Sequence, residues 1–328
     1  MSRKIRVSLT LTTLFSLALT SLAYGGDQYS TQINNEPTLT NGTKKEILLS
    51  FVGDIHFEGK VANAIKVGKN PFADVKGVFN SSDLVIGNLE TAITRSKEKS
   101  IKQYNFKSES GNLKIFNENN VSLLSIANNH TYDFLSKGFS DTLQALEKYN
   151  LTYIGGGENF NTAHKGVVLP VAGKNLCFVA YARVNGGSIA LNSLKKSGIN
   201  DGYNNKQIAS DIKQILATSN CFKLILLQHW GEENKAIPRQ REIDGAKYYH
   251  SLGVDIVIGS HPHVLQPIEL KNNRLTAYSL GNFLFYSTSL SNRTSTILQI
   301  HISLNDGTIT YDSLPILLDL KTGFPHLR

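Results

Sequence analysis

The chain has 328 residues, 41% of them hydrophobic and 18% charged. That is the composition of a folded globular protein with enough length for one large or two medium domains, and it excludes a mostly disordered or fibrous chain. The formal net charge is +8, three of those charges fall in residues 3–6, and no basic stripe interleaved with aromatics follows, so nucleic acid is not an expected partner.

Arg3, Lys4 and Arg6 precede an uncharged stretch from Val7 to Leu22 and the small residues of Ala23-Tyr24-Gly25. This pattern predicts a secretory signal over residues 1–25, cleaved near Gly25. A retained N-terminal anchor is the alternative. Either way the rest of the chain is expected outside the cytoplasm, in the periplasm, on the cell surface or in the medium. Residues 26–45 are polar and read as a flexible linker, leaving 46–328 as one domain.

From Glu46 onward, short apolar runs of strand length alternate with helical spacing. Helices are predicted over 141–149, 206–217 and 243–252. Near the C-terminus the pattern changes to hairpins: 265–270 with 275–279 around Lys271-Asn272-Asn273-Arg274, and 295–304 with 308–311 around Asn305-Asp306-Gly307. Parallel βα units followed by antiparallel strands define an α/β class. Cys177 and Cys221 each sit at a strand edge. In an oxidising compartment they can pair, and two buried thiols fit the sequence equally well.

The chemistry collects where apolar runs end. Six of them lead into Gly53-Asp54-Ile55-His56, Gly87-Asn88-Leu89-Glu90, Asn128-Asn129-His130, His229-Trp230-Gly231-Glu232, Gly259-Ser260-His261-Pro262-His263 and Gly281-Asn282. Ligands in open α/β sheets bind just beyond the carboxyl ends of strands. Taken singly, each cluster has a bland reading. Asp54-x-His56 puts two metal-capable groups on one face of an extended segment, but is more often a capped loop. Pro262 pushes His261 into an extended conformation, which gives either a chelating pair with both imidazoles aimed the same way or a turn with two exposed histidines. Asn129-His130 is a ligand and an acid, or a helix-capping turn. His229 is a ligand or a satisfied core histidine, Trp230 is core, and Glu90 is a ligand or an N-terminal helix charge. Six such endings together favour one shared metal site.

The order Asp-x-His, acid, Asn-His, His, His-x-His resembles the calcineurin-like metallophosphoesterases. The runs Gly87-Asn-Leu-Glu-Thr91, Ala127-Asn-Asn-His130 with Asp133, His229-Trp-Gly-x-Glu, Gly259-Ser-His-Pro-His-Val264 and Tyr278-Ser-Leu-Gly-Asn-Phe283 are similar to the CapA family of that superfamily, which is linked to poly-γ-glutamate capsule synthesis. The resemblance covers Leu48 to Phe285. It implies a four-layer fold, two packed mixed β-sheets flanked by helices. It also implies one or two divalent transition metal ions, Mn, Fe or Zn. One ion would take Asp54, His56 and His263, the other Asn129, His229 and His261, with Glu90 between them and His130 as proton donor. Asn88, Asp133, Glu232 and Asn282 would support these ligands. The superfamily usually carries Asp where this chain has Glu90, which bears on whether two ions are bridged.

Three functions compete on this basis. One is a metal-dependent hydrolase acting on a phosphorylated small substrate or an anionic polymer. Another is a non-catalytic capsule-assembly protein that binds the polymer or membrane-bound synthesis partners. The third is a closed structural metal site. Segments 96–108 and 185–203 are expected to border the site, and His164, His250, His301 and His326 lie outside any motif.

Overall fold

The computed structural model describes residues 44–184 and 197–328. The predicted signal and nearly all of the predicted linker lie outside the described residues, as does most of the 185–203 segment. Residues 44–328 form one compact unit.

Two mixed sheets carry the fold. The first orders its strands Pro325–Leu327, Ile309–Leu318, Thr294–Ser303, Glu46–Ile55, Leu84–Leu89, Leu123–Ser125 and Tyr153–Ile154, with Asn282–Leu284 also paired to Glu46–Ile55. The second orders Ile268–Lys271, Arg274–Ala277, Ile256–Ser260, Cys221–Trp230, Lys174–Arg183 and Val167–Val171. In the second sheet the inner strands run parallel and both edges are antiparallel hairpins, whereas the first sheet is parallel from Glu46–Ile55 to its Tyr153–Ile154 edge and antiparallel on the other side. Parallel strands buried on both faces read as unbroken apolar runs, which is why 222–227 is so hydrophobic.

Period-two alternation divides those runs between two cores. Phe178, Ala180, Ile225 and Leu227 face the core shared with Leu49, Ile297 and Ile300 of the first sheet. Cys177, Val179, Tyr181, Leu224 and Leu226 point the other way, onto Ile208, Ile212 and Ile215 of helix Asn205–Thr218 and onto Ala246 and Tyr249 of helix Gln240–Ser251. Helices Gly59–Lys66, Lys76–Ser81, Lys114–Glu118 and Leu135–Lys148 insert Val61, Phe79, Phe116, Phe139 and Leu143 into the first core. The result is the four-layer helix–sheet–sheet–helix sandwich. Each fully buried side chain of Leu, Ile or Phe size stabilises it by roughly 1.5–3 kcal/mol.

Local boundaries follow from caps. Asn204 accepts the Gln207 N–H at 3.2 Å and starts helix 205–218. Glu242 reaches back to the Arg239 N–H at 3.0 Å and starts helix 240–251 three residues before the hydrophobic spacing does. The helix predicted from 141 begins at Leu135; Ser136, Lys137 and Ser140 dilute the apolar spacing of its first turns, where Phe139 alone is a fully buried apolar side chain and a Lys137–Asp141 ion pair adds support. The 271–274 hairpin turns through Asn272 and Asn273, both with positive φ. The strand predicted to end at Tyr311 extends to Leu318.

Cys177 and Cys221 form a disulfide, with Cα atoms 5.6 Å apart across neighbouring parallel strands. Of the two states compatible with the sequence, the structure adopts the paired one.

A metal-centre geometry between the two sheets

Both sheets deliver polar residues to one place. Asp54 lies inside strand 46–55, with His56 one residue past its end. Glu90 directly follows strand 84–89 and Asn128-Asn129-His130 follow strand 123–125. The second sheet supplies His229 from strand 221–230 and His261 and His263 from the turn after strand 256–260.

The sixth run departs from expectation. After strand 274–277 the chain does not end at the site but crosses to the first sheet, where Asn282 opens a short strand beside Asp54. The crossing brings backbones together: a Cβ at Gly53 would lie 1.9 Å from the Gly281 carbonyl oxygen. Only glycine permits that approach, which in turn allows the Asp54 N–H to donate to Gly281 O at 3.0 Å.

Glu90 sits at the centre, fully buried. Its Oε1 is 3.4 Å from His229 Nε2 and 4.0 Å from both His130 Nε2 and His263 Nε2. Asn129 Oδ1 meets His229 Nε2 at 2.7 Å, and Ser260 Oγ holds the other nitrogen of that ring at 2.8 Å. Asp54 accepts from Asn88 Nδ2 at 2.8 Å and lies 3.3 Å from His263 Nδ1, which also meets Asn282 Oδ1 at 2.8 Å. His56 packs between the rings of Phe106 and Phe285 with centroids at 4.2 and 4.6 Å.

These residues fit a cation. His56 Nδ1 and Nε2, both Glu90 carboxylate oxygens and His261 Nδ1 are buried without a hydrogen-bond partner. Leaving one such atom bare costs about 1–3 kcal/mol, and coordination by an ion removes that cost. Asp54, Glu90 and His263 offer ligand atoms within 4.8 Å of one another, and so do Glu90, His229 and His261. Glu90 belongs to both groups. The nitrogen and oxygen donors suit a divalent metal ion.

The electrostatics agree. Burial lowers the His56 imidazole to about 3 against the pull of Glu90. Burial, then His229, holds His261 well below the usual imidazole range. Burial also works to lower His263, but Glu90 and Asp54 outweigh it and raise the ring to about 10. Burial works to raise Glu90, yet His263, His229 and His130 hold its carboxyl below the usual range. Without metal, a proton on His263 balances the buried carboxylates, at a position where a cation does the same work.

His130 is held from two sides: its Nδ1 bonds Asp133 Oδ2 at 2.7 Å, and its ring stacks on Phe106 at 4.0 Å. Asp133 is fully buried, accepts the Phe106 N–H at 2.6 Å and pairs with Lys102, whose ammonium also donates to the Asn129 carbonyl at 2.7 Å. The 96–108 segment therefore lies against the site. Asn128, read from sequence only as part of a cluster, shapes the turn: its Oδ1 accepts the N–H groups of His130 and Thr131, each at 3.0 Å, and its Nδ2 donates to Leu89 O at 2.8 Å.

Glu232 does not support the ligands. It pairs outward with Arg239 at 3.4 Å, and the acid near His261 and His263 is Glu233. Trp230 is core, fully buried with its N–H on Tyr278 O at 3.0 Å. His164, His250, His301 and His326 bond elsewhere, to Asp211, Val254 and Thr276, Glu46 and Asp312, and Asp74. Sequence reasoning missed Lys102, Phe106 and Phe285. The lysine-rich composition of 96–108 was the only signal, and it carried no spacing.

Sheet order defines a layered α/β sandwich whose two packed sheets bring a cluster of metal-capable side chains to one site. Solved structures of that shape include the Haemophilus influenzae NAD nucleotidase (TM-score 0.50, 14% identity, 83% of this chain) and a 5'-nucleotidase precursor from Thermus thermophilus (TM-score 0.52, 11% identity, 83% of this chain). The match covers 50% and 54% of those chains, about half of each, and it speaks to fold alone.

Residues 48–287 match the family described as Bacterial capsule synthesis protein PGA_cap, and the chain belongs to it. Relatives are the PGA biosynthesis protein CapA of Bacillus subtilis (strain 168), 30% identical over 84% of this chain and 73% of its own length, and the capsule biosynthesis protein CapA of Bacillus anthracis, 31% identical over 86% and 69%.

Proposed function

We propose that this protein is exported and serves capsule-polymer biosynthesis as a metal-dependent hydrolase of the phosphoesterase type, acting on an anionic polymer such as poly-γ-glutamate or on a phosphorylated small substrate. The observation that carries this reading is the convergence of His130, His229 and His263 on Glu90, beside five buried donor atoms without hydrogen-bond partners. Family membership supports the capsule role. The Cys177–Cys221 disulfide supports export, because such bonds persist in oxidising compartments.

Asp54, His56 and His263 would hold one ion and Asn129, His229 and His261 the other, with Glu90 between them. When bound, one or two divalent ions supply Lewis acidity and make water a nucleophile at neutral pH. The chain itself supplies orientation and a proton. Ser260 holds Nδ1 of His229, which leaves Nε2, beside Asn129 Oδ1, as the nitrogen that would face an ion. Asp133 holds Nδ1 of His130, so Nε2 is the nitrogen that points toward Glu90 and would give a proton to a leaving oxygen. Phe106 stacks on that ring and keeps water from its face.

The test is turnover by the mature protein on phosphomonoesters, phosphodiesters and poly-γ-glutamate, for wild type, Asn129→Ala and His130→Ala. Turnover that His130→Ala abolishes while metal is retained supports the hydrolase. A second reading, polymer binding without turnover, draws on Lys97, Lys99 and Lys107 around a cavity of about 530 Å³ bounded by Phe106. Capsule loss in both variants, with no turnover under Mn, Fe or Zn, would favour it.

A further inference from the structure

Two glutamates follow the strand that carries His229, and the structure sends them opposite ways. Gly231 has φ +99, and a Cβ there would sit 2.9 Å from Pro262 Cγ. Glycine thus lets the 231–235 loop lie directly on the His261-Pro262-His263 turn. Several bonds pin it there. The Asn234 N–H donates to Pro262 O at 2.8 Å, and Gln266 Nε2 donates to Lys235 O at 2.7 Å. Asn292 Nδ2 bridges Asn234 Oδ1 at 2.8 Å and His263 O at 3.3 Å. Arg239 then takes Glu232 outward and donates to Gly231 O.

Glu233 is left facing the site. Its carboxylate and ring nitrogens of His261 and His263 all lie within 4.8 Å of one another. None of the ion pairs among the described residues uses Glu233. A second observation points to a ligand: His261 is 8% exposed and its Nδ1 has no hydrogen-bond partner. His261 also holds φ +97 and not the extended backbone expected before Pro262, a conformation a side-chain-bearing residue adopts only when its surroundings impose it.

We propose that Glu233 is a further ligand of the metal centre, an oxygen donor on its solvent side, placed beside His261 of one ion position and His263 of the other. The inference rests on the metal-dependent reading above and adds a residue outside the sets built around Glu90. An exposed carboxylate closes the face from which ions leave, so its effect falls on retention of the ion.

The experiment is metal affinity of the full purified protein, stripped and reloaded with Mn or Zn, by competition with a chromogenic chelator. Wild type is compared with Glu233→Gln, Glu233→Ala and Glu232→Gln. Because both acids are exposed, the variants should fold, and equal melting in excess chelator verifies it. The expected result is metal binding weakened about 10-fold or more in both Glu233 variants, with Glu232→Gln unchanged. Affinity equal to wild type in Glu233→Gln, or an equal loss in Glu232→Gln, overturns the assignment of Glu233 alone. A wild-type protein that binds neither ion overturns it together with the hydrolase reading.

Discussion

Asp133 accepts the Nδ1–H of His130 at 2.7 Å from a fully buried position three residues further along the chain. This bond fixes which nitrogen faces Glu90. A general acid contributes about 10²–10⁴-fold, so His130→Ala should lower kcat by that order with metal content unchanged. Asp133→Asn should show a smaller loss and a displaced pH–rate profile, measured on whichever substrate the wild type turns over.

Bound metal should stabilise the fold. At a metal concentration a thousandfold above Kd the gain is about 4 kcal/mol, or roughly 10 °C in Tm for a chain of this size. Calorimetry with and without Mn or Zn checks it. The His261→Ala/His263→Ala double variant should show no such rise.

The metal-free protein should lose stability in acid. His56 and His261 have lowered folded values, so they are neutral when folded, and His250 is lowered by burial as well. As pH falls below about 6.5, the unfolded chain binds protons at these rings that the folded chain does not, and stability drops. His263, raised to about 10, acts in the other direction. Its contribution is complete below the unfolded value and is lost as pH rises through the folded one. Chelator-treated protein in urea should therefore be most stable near pH 6–7, falling by about 1–3 kcal/mol per pH unit toward pH 5. Stability that stays flat from pH 7 to 5 would contradict this distribution of protons.

Removing the disulfide should cost stability without touching the site. Cys177 and Cys221 are 44 residues apart, a loop whose closure is worth about 4 kcal/mol in the chain-entropy estimate. Paired Cys177→Ser and Cys221→Ser substitutions should lower the urea midpoint accordingly and leave metal affinity as in wild type.

Much of this site is legible in the sequence because its ligands sit at the ends of apolar runs, where strand period and glycine punctuation mark them. Asp54, Glu90, Asn129, His229, His261 and His263 all have such markers. Lys102 and Phe106 have none, since they reach the site from an irregular segment whose path is set by Asp133 and not by any repeat. Sequence order alone does not separate Glu232 from Glu233, for a related reason. Chain order places both beside His229, and only the outward pull of Arg239 and the turn at Gly231 decide which one faces inward. The crossing of Asn282 into the first sheet is hidden too, because strand pairing between distant segments leaves no local trace.

The most direct test is metal content of the purified mature protein by elemental mass spectrometry, for wild type and for the His261→Ala/His263→Ala variant. About two equivalents of a divalent transition metal in wild type, lost in the variant, are predicted. No bound metal in wild type after reconstitution with Mn, Fe and Zn would contradict the metal centre and leave polymer binding as the function.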